Sequence, residues 1–93
     1  LKAAFHPGAT IYGYVGPDLF GGPIEHFYEW HLGNGPARDV EIRVTSIDLA
    51  SSIATARVEI DNWTGHRFTD QFTLLKTDGV WKIISKVFHL HEA

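Results

Sequence analysis

The clearest pattern in the chain is a pair of long β-prone runs, residues 68–77 and 80–91, on either side of Asp78-Gly79. Asp-Gly between alternating apolar residues is a strong signal for a two-residue hairpin turn. Pairing Thr77 with Val80 sets the register of the whole hairpin. Because side chains alternate along a strand and cross-strand partners share a face, this register assigns every side chain to one of two faces.

One predicted face is mostly apolar, yet it also carries a carboxylate and two imidazoles. On this face, Asp70 and His89 are diagonal neighbours about 7–8 Å apart at Cα. Polar groups on an apolar concave face need a reason, because burying an unpaired charge is costly. The first face comprises Phe68, Asp70, Phe72, Leu74, Trp81, Ile83, Ser85, Val87, His89 and His91, and the second includes Leu75, Ile84, Phe88 and Leu90.

A second hairpin is predicted from residues 39–49 and 53–63, with the loop Ala50-Ser51-Ser52 between its strands. Its register pairs Val44 with Val58 and Ser46 with Ala56, which places the alternating apolar residues on one face. The part of the chain before this hairpin contains the signals for two helical segments and a short strand.

Residues 5–8 are predicted to end an incoming helix, because proline disfavours helix at the residue before it. A short strand should follow over 9–15. A helix is then expected from about Pro23 to Leu32, since proline fits the first helical position and Gly33 provides a stop. Its apolar stripe contains Ile24, Phe27, Tyr28 and His31. Strands that follow helices and are joined by hairpins predict an α+β fold with one antiparallel sheet.

Composition narrows the class of protein. The 93 residues form one small domain, and the eight scattered Lys and Arg residues with a net charge of −3 argue against a nucleic-acid surface. The absence of cysteine excludes disulfides and a cysteine nucleophile. No apolar run approaches the roughly 20 residues of a membrane span. We therefore expect a cytoplasmic protein that binds neither nucleic acid nor membrane.

Several stretches together resemble the nuclear transport factor 2-like superfamily, the cone-shaped α+β fold of ketosteroid isomerase, scytalone dehydratase and polyketide cyclases. Residues 5–10 (FHPGAT) resemble its helix-to-strand junction. Residues 19–24 (LFGGPI) and the final hairpin, 69–76 with 79–89, resemble the branch called putative lumazine-binding or SnoaL-like proteins. The resemblance covers nearly the whole chain.

This resemblance implies a cystatin-like cone over residues 1–93, in which a curved antiparallel sheet wraps around helices and a central apolar pocket. It also implies that the N-terminal helices are largely absent, so that the domain is N-terminally incomplete. Members of the superfamily are commonly dimers through the outer sheet face. We expect a homodimer through Ile84, Phe88 and Leu90, whose apolar area exceeds what a solvated face needs.

Asp70 and His89 are the candidate catalytic pair, because a carboxylate orients an imidazole and raises its basicity. The alternative is a buried structural hydrogen bond between them. Tyr14 is a third candidate, since a phenol can donate a hydrogen bond to a developing oxyanion. His89, His91 and Asp70 have a spacing that can chelate zinc, but no fourth ligand is evident, so neither a metal site nor a cofactor is predicted.

The leading hypothesis is a pocket that binds a small hydrophobic or aromatic organic molecule. One alternative is a cofactor-free isomerase, dehydratase or cyclase that uses Asp70 and His89 as an acid–base pair. The other alternative is a non-catalytic dimerisation module. The candidate ligand-binding residues are Tyr12, Phe20, Phe27, His31, Trp63, Phe72, Trp81 and Val87.

Overall fold

A six-stranded sheet and one helix make up the fold in the computed structural model. The structure describes residues 2–34 and 39–91, without the side chains of residues 31–34. A 3-10 turn at Lys2–Ala4 leads into the main elements. These are β1 (Phe5–Val15), β2 (Asp18–Pro23), α1 (Glu25–Asn34), β3 (Glu41–Ala50), β4 (Ile53–Trp63), β5 (His66–Thr77) and β6 (Val80–His91).

The strands lie in the order β2-β1-β6-β5-β4-β3. Strand β1 pairs with β6 in parallel, and every other neighbouring pair is antiparallel. The sheet is therefore mixed, and the prediction of an antiparallel sheet is wrong at this one pair. Parallel neighbours need a long connection, and here four strands and the helix between β1 and β6 provide it.

The first strand begins earlier than the sequence pattern indicated. Strand β1 starts at Phe5, so the predicted helix end over residues 5–8 is wrong. Pairing with β6 is interrupted between Phe5 and Thr10, which tolerates Pro7 because proline has no N–H to offer a neighbouring strand. Pro23 ends β2 and does not open the helix, which begins at Glu25.

The helix is anchored to the sheet at its first turn. The Ile24 N–H donates to the Ala9 carbonyl at 2.9 Å, and the Phe27 N–H donates to the Ile24 carbonyl at 2.9 Å. Helix α1 has ten residues, and no helix in the described part of the chain is long and apolar enough to cross a membrane.

The buried core lies where α1 packs on the concave face of the curved sheet. Phe5, Ala9 and Ile11 from β1 meet Ile24 and Phe27, and all five are buried. Ile11 and Ile24 are each only 1% exposed, and burying a side chain of this size contributes about 1.5–3 kcal/mol. The predicted helix stripe is confirmed at Ile24 and Phe27. His31, the last predicted member, lies outside the described side chains.

The final hairpin has the predicted turn but changes register within it. Thr77 pairs with Val80 and Leu74 with Ile83, as predicted, and Asp78 and Gly79 have the positive φ angles of 49° and 77° that such a turn requires. Beyond Leu74 the register shifts, so that Thr73 pairs with Ser85. This β-bulge leaves Ile84 unpaired.

The bulge moves the second half of β6 to the face opposite the predicted one. Asp70 is paired with Phe88, and His89 is paired with Thr69. The predicted placement of Asp70 and His89 on one face is therefore wrong. The concave face carries Lys86, Phe88 and Leu90, and the outer face carries Ser85, Val87, His89 and His91.

The second hairpin contains a comparable shift. Val44 pairs with Val58 as predicted, but a bulge at Thr45 makes Ile47, not Ser46, the partner of Ala56. The connecting loop therefore has two residues, Ser51-Ser52, not three. Edge strand β3 presents a row of exposed apolar side chains, namely Ile42, Val44, Ile47 and Leu49.

Candidate functional site

A buried ion pair lies on the concave face of the sheet. The Lys86 Nζ is 3.3 Å from the Asp70 Oδ2. Asp70 is 1% exposed and Lys86 is 7% exposed, so bulk water reaches neither charge freely. Charged residues are almost never this deeply buried unless they are paired, which makes this the most unusual polar feature of the fold.

Four strands position the pair. Asp70 lies in β5, with Val58 of β4 and Phe88 of β6 as its direct cross-strand partners. Lys86 lies in β6 opposite Phe72, and on its other side it neighbours Ile11 of β1. Lys86 reaches the concave face only because of the bulge that precedes it. An unbroken register assigns Lys86 to the outer face, so the sequence pattern did not indicate it as a site residue.

Aromatic rings surround the Lys86 ammonium group. Its Nζ lies 4.0 Å from the centroid of the Phe27 ring and 5.9 Å from the centroids of Trp63 and Phe72. Such ring faces attract a cation, by about 2 kcal/mol or more where the contact is desolvated. Phe27 comes from α1, so the helix and the sheet together enclose the amine.

Burial shifts both groups toward their neutral forms. It raises the pKa of Asp70, and the nearby Lys86 charge opposes that rise. It lowers the pKa of Lys86, and Asp70 opposes that fall. Apart from the ion pair with Lys86, neither oxygen of Asp70 has a hydrogen-bond partner among the described residues. A buried carboxylate with unused acceptor positions beside an amine can receive, hold or deliver a proton.

The pair borders a recess of about 150 Å³ on the concave face. Of the predicted site residues, four lie on its border, namely Asp70, Phe20, Phe27 and Trp63. Lys86, Phe88 and Leu90 border it as well, although the sequence assigned them to the outer face. The remaining bordering residues are Ile11, Val15, Trp30, Ile60, Thr64, His66 and Phe68.

Other predicted residues lie elsewhere. Tyr12 and Tyr14 are paired with Val87 and His89 across the parallel β1–β6 ladder, and all four belong to the outer face. Tyr12, Tyr14 and Val87 are between 44% and 62% exposed, so their predicted placement at the site is wrong.

The three remaining predicted ligand-binding residues are Phe72, Trp81 and His31. Phe72 packs near the Lys86 amine but does not border the recess, and Trp81, close to the hairpin turn, does not border it either. The side chain of His31 lies outside the described residues.

The predicted dimer surface also changes. Phe88 and Leu90 border the concave recess, so they do not form an outer face with Ile84. The physical reason is again the bulge at Ile84, which exchanges the two faces of β6. That the chain forms a homodimer through the outer sheet face stays a prediction.

The outer face carries its own polar network around Glu59. The Thr69 hydroxyl donates to Glu59 Oε1 at 2.6 Å and lies 2.7 Å from His91 Nε2. Arg57 donates to the same carboxylate at 2.9 Å. The hydrogen bond from Thr69, followed by that from Arg57, lowers the pKa of Glu59 to about 2.

The two outer histidines do not form the zinc site considered from their spacing. The rings of His89 and His91 contact each other at a centroid distance of 4.6 Å, but Asp70 lies on the opposite face of the sheet. Within residues 2–34 and 39–91, no three His, Cys, Asp or Glu side chains are arranged to hold a metal ion.

Comparison with known proteins agrees with the fold. The family described as Putative lumazine-binding matches residues 1–89. The chain belongs to this family. Its curved mixed sheet with one short helix fits the nuclear transport factor 2-like, cystatin-like cone, and the superfamily predicted from the sequence is confirmed.

Similar proteins include one named as an aldolase and solved structures described as of unknown function. The chain is 30% identical over 89 residues to "Aldolase FrzH" of Cladobotryum sp. The matched region covers 95% of this chain and 71% of that protein. A crystal structure of an NTF2-like protein of unknown function from Methylobacillus flagellatus KT is 56% identical, with a TM-score of 0.96 over 98% of this chain and 74% of its own. A second one, from Shewanella baltica OS155, is 37% identical, with a TM-score of 0.90 over 99% and 76%.

Proposed function

We propose that the protein binds a small, largely apolar organic molecule in the concave recess, with Asp70 and Lys86 as its polar contacts. The observation that carries this proposal is the Asp70 carboxylate, which is 1% exposed, faces the recess and has unused acceptor positions among the described residues. Buried polar groups are normally hydrogen-bonded, and an exception at a recess supports a role toward a ligand.

The shape and lining of the recess define the ligand class. A space of about 150 Å³ corresponds to roughly one benzene-sized ring. Aromatic and aliphatic side chains border most of it, and they favour a flat apolar body. Lys86 can donate to a carbonyl or hydroxyl oxygen of the ligand, and Asp70 can accept from a donor beside it.

Binding can be tested with acetophenone, a ring with one carbonyl oxygen, and with lumazine, the compound in the family's description. Trp30 and Trp63 border the recess, so quenching of tryptophan fluorescence reports occupancy. We expect saturable binding of at least one probe. Ile60→Trp should abolish it by filling the recess, whereas Tyr14→Phe on the outer face should not change it. Absence of binding by both probes, or equal binding to Ile60→Trp, would contradict the proposal.

A second candidate function is cofactor-free proton transfer next to a carbonyl group, with Asp70 and Lys86 in place of the predicted Asp70 and His89. The 3.3 Å separation of the two groups at the recess favours it. Asp70 would remove the proton α to the carbonyl, and Lys86 would stabilise the resulting enolate oxygen. The aldolase from Cladobotryum is a relative whose name implies carbonyl chemistry.

This second function predicts exchange of the methyl protons of acetophenone in D₂O, followed by NMR. Asp70→Asn should slow that exchange ~10²-fold or more, because it removes the base. His89→Ala should leave the rate unchanged, since His89 lies on the other face. A large loss in His89→Ala with normal exchange in Asp70→Asn would reject the assignment.

A further inference from the structure

We propose that Lys86 is a nucleophile that forms an iminium bond with the carbonyl carbon of the ligand, so that the substrates are aldehydes or ketones with an apolar body. This inference rests on the proposed function, because it requires the ligand to enter the concave recess. It adds a covalent step and a narrower substrate class to that function.

The surroundings of the amine favour nucleophilic attack. A lysine held in an apolar pocket is a recognised activated nucleophile, because desolvation weakens its hold on the proton. Lys86 is 7% exposed, and the Phe27 ring lies 4.0 Å from its Nζ. Restricted access of water also protects an iminium from hydrolysis. Burial lowers the pKa of Lys86, with Asp70 opposing the effect, so burial increases the supply of neutral amine.

Asp70 supplies the acid and the base that the step needs. Its Oδ2 is 3.3 Å from the Lys86 Nζ, close enough to exchange a proton after a small movement. Burial raises the pKa of Asp70, while Lys86 opposes the rise, so burial helps the carboxyl group hold a proton during the reaction. The aromatic rings of Phe27, Trp63 and Phe72 lie around the Lys86 Nζ.

The step balances without an added oxidant or reductant. Asp70 takes one proton from the Lys86 ammonium, and the amine lone pair forms a C–N bond to the carbonyl carbon. The electron pair of the C=O bond moves to oxygen, which takes up a proton from the attacking nitrogen. The hydroxyl of the resulting carbinolamine leaves as water with the proton that Asp70 returns. In total, one carbonyl and one ammonium give one iminium and one water.

The other lysines are placed differently. Lys82 donates to the Ala3 carbonyl, Lys2 lies over the Tyr28 ring, and Lys76 is exposed. Lys86 is the only lysine that borders the recess within the described chain. The remaining lysines therefore serve as internal controls for general amine reactivity.

Reductive trapping tests the inference directly. The full chain is incubated with benzaldehyde and sodium cyanoborohydride, and the adduct is located by intact mass and peptide mapping. We expect one adduct, on Lys86, to form before any other. Lys86→Met should lose it, and the matched variant Lys82→Met should retain it. Asp70→Asn should slow trapping by about 10²-fold, because the proton carrier is missing.

The outcomes separate the inference from the proposed function. Circular dichroism checks the fold of each variant, and Lys86→Arg, which keeps the cation but offers no comparable nucleophile, replaces Lys86→Met if that variant unfolds. Adducts spread evenly over all lysines, or an adduct that persists when Lys86 is replaced, would overturn the inference. Fluorescence-detected benzaldehyde binding without a Lys86 adduct would overturn the iminium step alone. Benzaldehyde binding that Ile60→Trp does not weaken would overturn the proposed function as well.

Discussion

At the scale of single residues, the main polar feature of the concave face is the buried ion pair between Asp70 and Lys86. Taking two charges out of water is expensive, and their attraction repays the cost only when the geometry is good. Asp70 has unused acceptor positions among the described residues, so its burial is incompletely compensated. Such a pair is better explained by binding or chemistry than by stability.

If so, removing one partner of the pair should destabilise the protein more than replacing both partners with apolar residues. Lys86→Met should lower the free energy of unfolding by about 3–5 kcal/mol, because it leaves Asp70 buried without a counter-charge. The double variant Asp70→Leu with Lys86→Met should recover most of that loss. Urea unfolding measures both. A double variant no more stable than Lys86→Met would show that the pair is not the origin of the cost.

Glu59 on the outer face differs from Asp70, because its surroundings stabilise the charged form of the carboxyl group and lower its pKa. Its pKa is lowered to about 2 in the folded protein from an ordinary value of 4.5. A lowered folded-state pKa stabilises the protein above the unfolded pKa, and the contribution is lost as pH falls through the folded value. We therefore expect Glu59 to make the free energy of unfolding decrease as pH falls from about 4.5 to about 2.

Chemical denaturation of Glu59→Gln across this range should show a flatter dependence on pH than the parent protein. Thr69→Val removes the hydrogen bond that lowers the pKa of Glu59 most, and it should have a partial effect in the same direction. The raised pKa of Asp70 acts with the opposite sign in all three proteins, and the Glu59 charge contributes less to that rise than burial does. Parallel pH profiles would contradict the prediction.

At the scale of single elements, the β-bulge in β6 decides which side chains meet at the site. One extra residue, Ile84, shifts the side-chain alternation by one position for the rest of the strand. Lys86 consequently joins Asp70 on the concave face, and His89 leaves it.

Close packing between β1 and β6 supports this arrangement. A Cβ placed on Gly13 would lie 2.6 Å from carbon atoms of the Phe88 ring, which is too close for ordinary contact. Gly13→Ala should therefore cost about 1–3 kcal/mol in the free energy of unfolding, because the ring has to move. Adding Phe88→Leu should recover part of the loss, and calorimetry of the two variants provides the measurement. Unchanged stability of Gly13→Ala would show that the ring moves freely.

At the scale of the whole molecule, the strand order places the last strand in the middle of the sheet. Strand β6 pairs with both β1 and β5, and the β1 partners from Thr10 to Tyr14 all meet residues 85–89. The two halves of the described sheet are thus joined through the last element of the chain.

A chain that ends at Ser85 should therefore lose cooperative folding. The truncation removes Lys86, Phe88 and most of the β1 ladder, so β1 and β5 lose their common neighbour. Far-ultraviolet circular dichroism during heating is the measurement. A sigmoidal melting curve with the sheet signal of the intact chain would contradict this expectation.

The sequence by itself determined the two hairpins and the helix, because these depend on local signals, and its resemblance to the superfamily was sufficient to predict the family. Asp78-Gly79 specifies its turn through positive φ angles. The i, i+3 spacing brings Ile24, just before α1, and Phe27, in its first turn, into the same buried cluster. Asp70 stood out for a similarly local reason, as a carboxylate on an apolar face. Its burial and its position at the recess agree with that reasoning.

Only the tertiary structure decided the partner of Asp70. A bulge is one residue long and has no strong local signature, yet it reverses every later assignment of faces in the strand. The parallel pairing of β1 with β6 likewise joins residues far apart in the chain, and it placed Tyr12 and Tyr14 on the outer face. For these reasons the polar pair is Asp70 with Lys86 and not Asp70 with His89.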